Sequence, residues 1–148
     1  VGPADTRRLS IPATDDGIRA AQEALARLWA ERRLSRAVTW PVEVSLDEVL
    51  ANVIRHGLAG RGESARVELE LQLDAGEPPR CELLVSDDGP EFDPLAAEAP
   101  DTTLAVEDRP IGGLGIELVK RLMDEVRYER SGGRNRLRLA RRLVAIEE

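Results

Sequence analysis

Glu48 and Asn52 stand four residues apart in a stretch with helical apolar spacing, so the two side chains project from one arc, a single turn from each other. A carboxylate can take a proton from an attacking hydroxyl, and a carboxamide oxygen can ligate a hard cation such as magnesium. Those are the two services that a phosphate chain under attack requires. Arg55 and His56 follow on the same arc, where a cation could neutralise phosphate charge. Further along, Asp87 is followed by Asp88 and Gly89. An aspartate there can accept a hydrogen bond from an exocyclic amine such as adenine N6, and the bare Gly89 lets a base approach the backbone. Finally Gly112, Gly113, Leu114, Gly115 and Ile116 open another helical stretch, whose unpaired N–H groups and positive dipole end can meet phosphate oxygens.

Each cluster also has a plainer reading. Glu48 and Asn52 alone could be the solvated face of an amphipathic helix, Asp88-Gly89-Pro90 makes a turn in any protein, and a short glycine pattern can be a hinge or a tight packing point.

The elements that would carry these residues are legible from periodicity. Residues from Asp15 to about Arg33 place Ile18, Ala21, Leu25, Leu28 and Trp29 at three- and four-residue steps, with Thr14 or Asp15 available as a cap. A second helix is expected from just after Pro41 to about His56, with Leu46, Val49, Leu50 and Val53 opposite the polar arc and Gly57 ending it. Ser64 to Leu73 alternates strictly, and after the turn signal at 74–79 so does Arg80 to Ser86, which predicts an antiparallel hairpin. Asp87 to Ile111 has no period, and its later part reads as a lid. A glycine-led helix then runs from Gly112 to Met123, and Glu125 to Arg142 folds into a closing hairpin about Ser131-Gly132-Gly133. Together these predict one domain over residues 1–148, of the α+β class: a two-layer α/β sandwich with a mainly antiparallel mixed sheet and helices on one face.

Composition narrows the partners. At 148 residues and a net charge of −7, with arginine carrying nearly all the positive charge, the chain as a whole should be repelled by nucleic acid and by anionic lipid. The lone Cys81 rules out an internal disulfide and a cysteine-based zinc cluster, and fits a cytoplasmic location. Neither a signal peptide nor a membrane span is visible. Aromatic residues are so scarce that no stacking platform for a base is expected.

In this order and at these distances the three clusters resemble the GHKL ATPase superfamily (HATPase_c, the Bergerat fold) of gyrases, heat-shock chaperones, histidine kinases and mismatch-repair ATPases. The segment Leu46 to Gly57 looks like its N box, Val85 to Pro94 like its first glycine box, and Gly112 to Ile116 with Leu122 to Val126 like its second. The Phe92-Asp93-Pro94 ending, the Leu122-Met123-Asp124-Glu125-Val126 run and the Gly133-Arg134-Asn135-Arg136-Leu137 close are similar to the small anti-sigma factor serine kinases of the RsbW type. Glu91 stands where many relatives have glycine, Ile111 where a longer glycine pattern would begin, and Arg136 where some relatives have threonine.

The resemblance implies ATP and Mg2+ as cofactors, with Glu48 as general base and Asn52 as the magnesium ligand. Arg55 and His56 would lie on the phosphate side, Asp87 would read adenine, and Gly89 with Gly112, Gly113, Leu114, Gly115 and Ile116 would line the pocket. It implies a serine/threonine kinase that phosphorylates an anti-sigma factor antagonist of the STAS type and binds a sigma factor or similar regulator, with a homodimer as one assembly. Two alternatives stay open at this point: a nucleotide-gated regulatory binding module without kinase activity, and the catalytic domain of a histidine kinase.

Overall fold

The computed structural model describes residues 5–58, 61, 64–96 and 113–146. Among them, five strands form one sheet in the order β1-β2-β3-β5-β4, and every neighbouring pair is antiparallel. The strands are β1 (Asp5–Pro12), β2 (Arg66–Asp74), β3 (Arg80–Asp87), β4 (Glu125–Ser131) and β5 (Arg134–Arg142). Three α-helices, α1 (Asp15–Glu31), α2 (Arg36–Asn52) and α3 (Gly113–Leu122), cover one face.

The alternation that defines the strands also builds the core. Val67, Leu69, Leu71 and Leu73 of β2 and Cys81, Leu83 and Val85 of β3 are buried, and they pack into one cluster with Leu25 and Leu28 of α1, Leu46 and Leu50 of α2, and Val119 of α3. Each such aliphatic side chain contributes about 1.5–3 kcal/mol by leaving water. The opposite sheet face is charged, with Arg138 and Arg80 both paired to Glu82. Burial alone would raise the Glu82 carboxyl, but the bonds from Arg138 and Arg80 outweigh it and lower it. The closing hairpin turns on Gly132 (φ 59°) and Gly133 (φ 74°), the left-handed pair that a two-residue loop between twisted strands demands.

Three elements differ from the sequence expectation. Strand β1 was not anticipated: only Leu9 and Ile11 carry an apolar inward pattern, and the inward Arg7 and Asp5 pair with each other and with Glu31 and Arg32. Helix α2 starts at Arg36 and runs through Pro41. A proline there forfeits one ladder hydrogen bond and normally breaks the helix at about 3 kcal/mol or more, yet Pro41 is buried among core residues whose packing outweighs that penalty. At its other end α2 is α-helical only to Asn52; Val53–Gly57 is a π-turn, closed by Leu58 N–H donating to Val53 C=O at 3.0 Å.

Helix α1 begins as expected, with Thr14 Oγ1 accepting from Gly17 N–H at 3.2 Å. Among the described residues no helix is long and apolar enough to cross a membrane.

Candidate functional site

The site lies where α2, α3 and the ends of β3 and β5 meet. Asn52, buried on the last turn of α2, lines a cavity together with Val49, Val53, Asp87, Ile116 and Asn135. Phe92, Pro94, Tyr128, Val85 and Leu137 complete its walls. The enclosed space is only about 20 Å³, room for roughly one water-sized body, so any base entering here has to displace a wall.

Asp87 is held firmly at the end of β3. Its side chain is almost fully enclosed, at 3 % exposure, and Oδ1 accepts from Gly89 N–H at 2.8 Å and from Asn135 Nδ2 at 3.1 Å. Among the described residues every hydrogen bond to this carboxylate falls on Oδ1, which leaves Oδ2 for a further donor. The sheet register causes this pairing, since Asp87 and Asn135 are direct partners across β3 and β5.

Asn135 is the hub of the site, though it is not among the site residues expected from the sequence. Its Nδ2 also donates to Pro90 C=O at 2.8 Å, while its Oδ1 accepts from Phe92 N–H at 3.1 Å and from the Tyr128 hydroxyl at 2.5 Å. All four capacities of the carboxamide are thus used. Burial pushes the Tyr128 phenol above its ordinary range, with the charge of Glu91 adding to the effect, so it remains a donor. The sequence does hold a signal for Asn135: the alternation of β5 puts it on the same inward face as Leu137 and Leu139.

The loop after Asp87 is pinned from both sides. Arg130 donates to Gly89 C=O at 2.7 Å, and Arg61 pairs with Asp88 at 3.0 Å, which lowers the Asp88 carboxyl. Phe92 turns back over the cavity and stacks on His56, with ring centroids 4.9 Å apart and planes inclined by 20°. Scarce as aromatic residues are, the only Phe, the only Tyr and the only His of the chain all gather at this site.

Glu48 lies one turn before Asn52, half-buried, and its carboxylate packs against the first turn of α3 at Gly115. A carboxylate there is favoured by the positive end of the helix dipole. The structure therefore brings Glu48, Asn52, Asp87, Gly89, Gly115 and Ile116 to one region. Arg55 is exposed and does not line the cavity, because the π-turn carries it off the α-helical arc. His56, also exposed, is tied to the cavity through Phe92. Gly113 and Leu114 open α3, whereas Gly112 and most of the segment read as a lid lie outside the described residues.

The profile of the histidine kinase-like ATPase domain matches residues 11–141, the span that holds the buried Asn52 at the end of α2 and Asp87 at the end of β3. The chain belongs to that family. It is 30% identical over 140 residues, 91% of each chain, to the serine/threonine-protein kinase BtrW of Bordetella bronchiseptica. It is also 30% identical over 97 residues, 62% of this chain and 58% of the relative, to the serine-protein kinase RsbW of Bacillus pumilus. A solved structure of the RsbU and RsbW domains of a Mycobacterium tuberculosis protein superposes with a TM-score of 0.66 over 99% of this chain and 35% of that longer one. At 17% identity, that likeness speaks to the fold alone.

Proposed function

We propose that this chain binds Mg-ATP between α2 and α3 and acts as a serine protein kinase of the anti-sigma factor type, in the cytoplasm. Its substrate is a serine on an antagonist protein of the STAS type, and phosphorylation switches which regulator, a sigma factor or its equivalent, the kinase holds. The observation that carries this reading is that Asn52 of α2, Asp87 of β3 and Ile116 of α3 line one cavity, while Glu48, one turn before Asn52, packs against Gly115, the neighbour of Ile116.

In this reading Asp87 Oδ2 accepts from the adenine amine while Oδ1 stays occupied by Gly89 and Asn135. Glu48, one turn before Asn52, takes the proton of the incoming serine hydroxyl as its oxygen attacks the γ-phosphorus, and the β–γ bridging oxygen leaves with ADP. The buried Asn52 carboxamide offers a hard oxygen of the kind magnesium takes. Magnesium on phosphates keeps several waters and takes only one or two protein oxygens, here the Asn52 carboxamide. When bound it supplies charge neutralisation on the phosphates.

The deciding experiment is incubation with γ-labelled ATP and candidate antagonist proteins. Label on an antagonist serine supports a kinase; ATP-dependent binding without label indicates a nucleotide-gated module. Glu48→Ala should cut transfer by about 10²- to 10⁴-fold while ATP still binds. Undiminished transfer by that variant would remove Glu48 from the chemistry.

A further inference from the structure

Gly115 sits in the first turn of α3, where alanine would make a better helix. What the missing side chain clears is specific. A Cβ built there would overlap Glu48 Oε2, and the next nearest atoms, at 3.1 and 3.7 Å, are Glu48 Cδ and Cβ. All three neighbours belong to the same glutamate, which is not among the residues that line the cavity.

We infer that the glycine at 115 serves the carboxylate of Glu48 and not the nucleotide. Gly115 is a positioning residue: its bare α-carbon is the wall against which the base is set, at the head of α3. The inference rests on Glu48 acting as the base, as proposed above. The clearance at 115 is already filled by a protein carboxylate.

A methyl group at 115 would turn the carboxylate away from its seat. The overlapping atoms are the far end of a flexible side chain, so the fold survives while the base is displaced. Displacement by about an ångström should lower the transfer rate roughly ten- to a hundredfold. ATP affinity should change less than about twofold, because the carboxylate does not hold the base or the phosphates.

The test is a double-mutant cycle over Gly115→Ala and Glu48→Ala, reading melting temperature, ATP affinity and serine transfer. In the wild-type background Gly115→Ala should stabilise little or destabilise. In the Glu48→Ala background the helix gain is unopposed and should raise Tm by about 2–4 °C relative to its effect in wild type. Transfer should fall with Gly115→Ala alone and show no further loss when Glu48 is already alanine.

Equal Tm changes in both backgrounds, or an ATP affinity that drops equally in both, would overturn the inference and return Gly115 to the nucleotide. If Gly115→Ala does not fold, Glu48→Asp approaches the contact from the other side. By withdrawing the carboxylate one methylene it should make Gly115→Ala tolerated, and continued failure to fold in that background counts against the contact. Absence of transfer by the wild type sinks the kinase reading and with it the base-positioning role, whereas the thermal cycle separately decides the contact.

Discussion

Asn135 Nδ2 donates to Asp87 Oδ1 across 3.1 Å, and the two residues are direct partners in the β3–β5 register. A buried carboxylate thus has one oxygen fixed by the sheet itself. The other is aimed by elimination.

Replacing Asn135 by leucine keeps the branched shape but removes all four of its hydrogen bonds. Asp87 is then held by Gly89 alone, and the backbone at Pro90 and Phe92 is freed. Hydrogen bonds to charged groups are worth about 1.5–3 kcal/mol, so a tenfold or greater loss of ATP affinity is expected, with a reduced preference for adenine over guanine. Titration calorimetry with both nucleotides checks this; an unchanged preference would mean that Asn135 only stabilises the fold.

Asp87→Ala should weaken ATP by about ten- to a hundredfold for the same energetic reason. GTP should bind the wild type poorly, because guanine O6 is an acceptor facing the acceptor Oδ2. Equal affinities of the wild type for ATP and GTP would remove Asp87 as the base reader.

Much of the fold could be read from the chain because it rests on local periodicity. The alternation from Val67 to Leu73 and from Cys81 to Val85 reports burial directly, and Gly132-Gly133 reports the turn. The rest depends on contacts that no local pattern records. Strand β1 carries partly exposed ion pairs at Asp5 and Arg7 in place of aliphatic groups, so its alternation is masked. Pro41 signals a helix boundary locally and is overruled by tertiary packing. His56 and Phe92 meet only once β3 and the π-turn are placed side by side, and a π-turn leaves no sequence mark. Asn135 was within reach through the phase of β5, which buries Asn135 and Arg141 with Leu137 and Leu139.

That second inward polar residue makes its own prediction. Arg141 is buried and donates to Leu122 C=O, at the C-terminal end of α3, and to Val144 C=O at 3.1 Å, while its Nε has no partner among the described residues. The guanidinium is favoured by the negative end of the helix dipole. Arg141→Ala leaves the Leu122 C=O unpaired in a buried setting and opens a cavity, a combined loss of about 2–4 kcal/mol. Denaturant unfolding should show it as a lower midpoint with an unchanged slope.

Cys81, on the inward face of β3, gives a prediction in pH. Burial raises its thiol from the ordinary 9.0 to about 12. In the unfolded chain the thiol ionises from about pH 9, whereas in the folded chain it stays protonated, so above pH 9 the unfolded state binds fewer protons and is favoured. The stability associated with Cys81 is therefore complete below pH 9 and is lost as pH rises toward 12. The slope cannot exceed about 1.4 kcal/mol per pH unit for one group. Cys81→Val, of similar size and without a titrating atom, should lose less stability between pH 8.5 and pH 10.5 than the wild type, both values chosen to straddle roughly the unfolded thiol's range. The same burial should protect the thiol from iodoacetamide at about pH 8 until denaturant is added, since the thiolate is the attacking form. Rapid alkylation of the folded protein, or parallel stability curves for the two chains, would show that Cys81 is not sealed in the core.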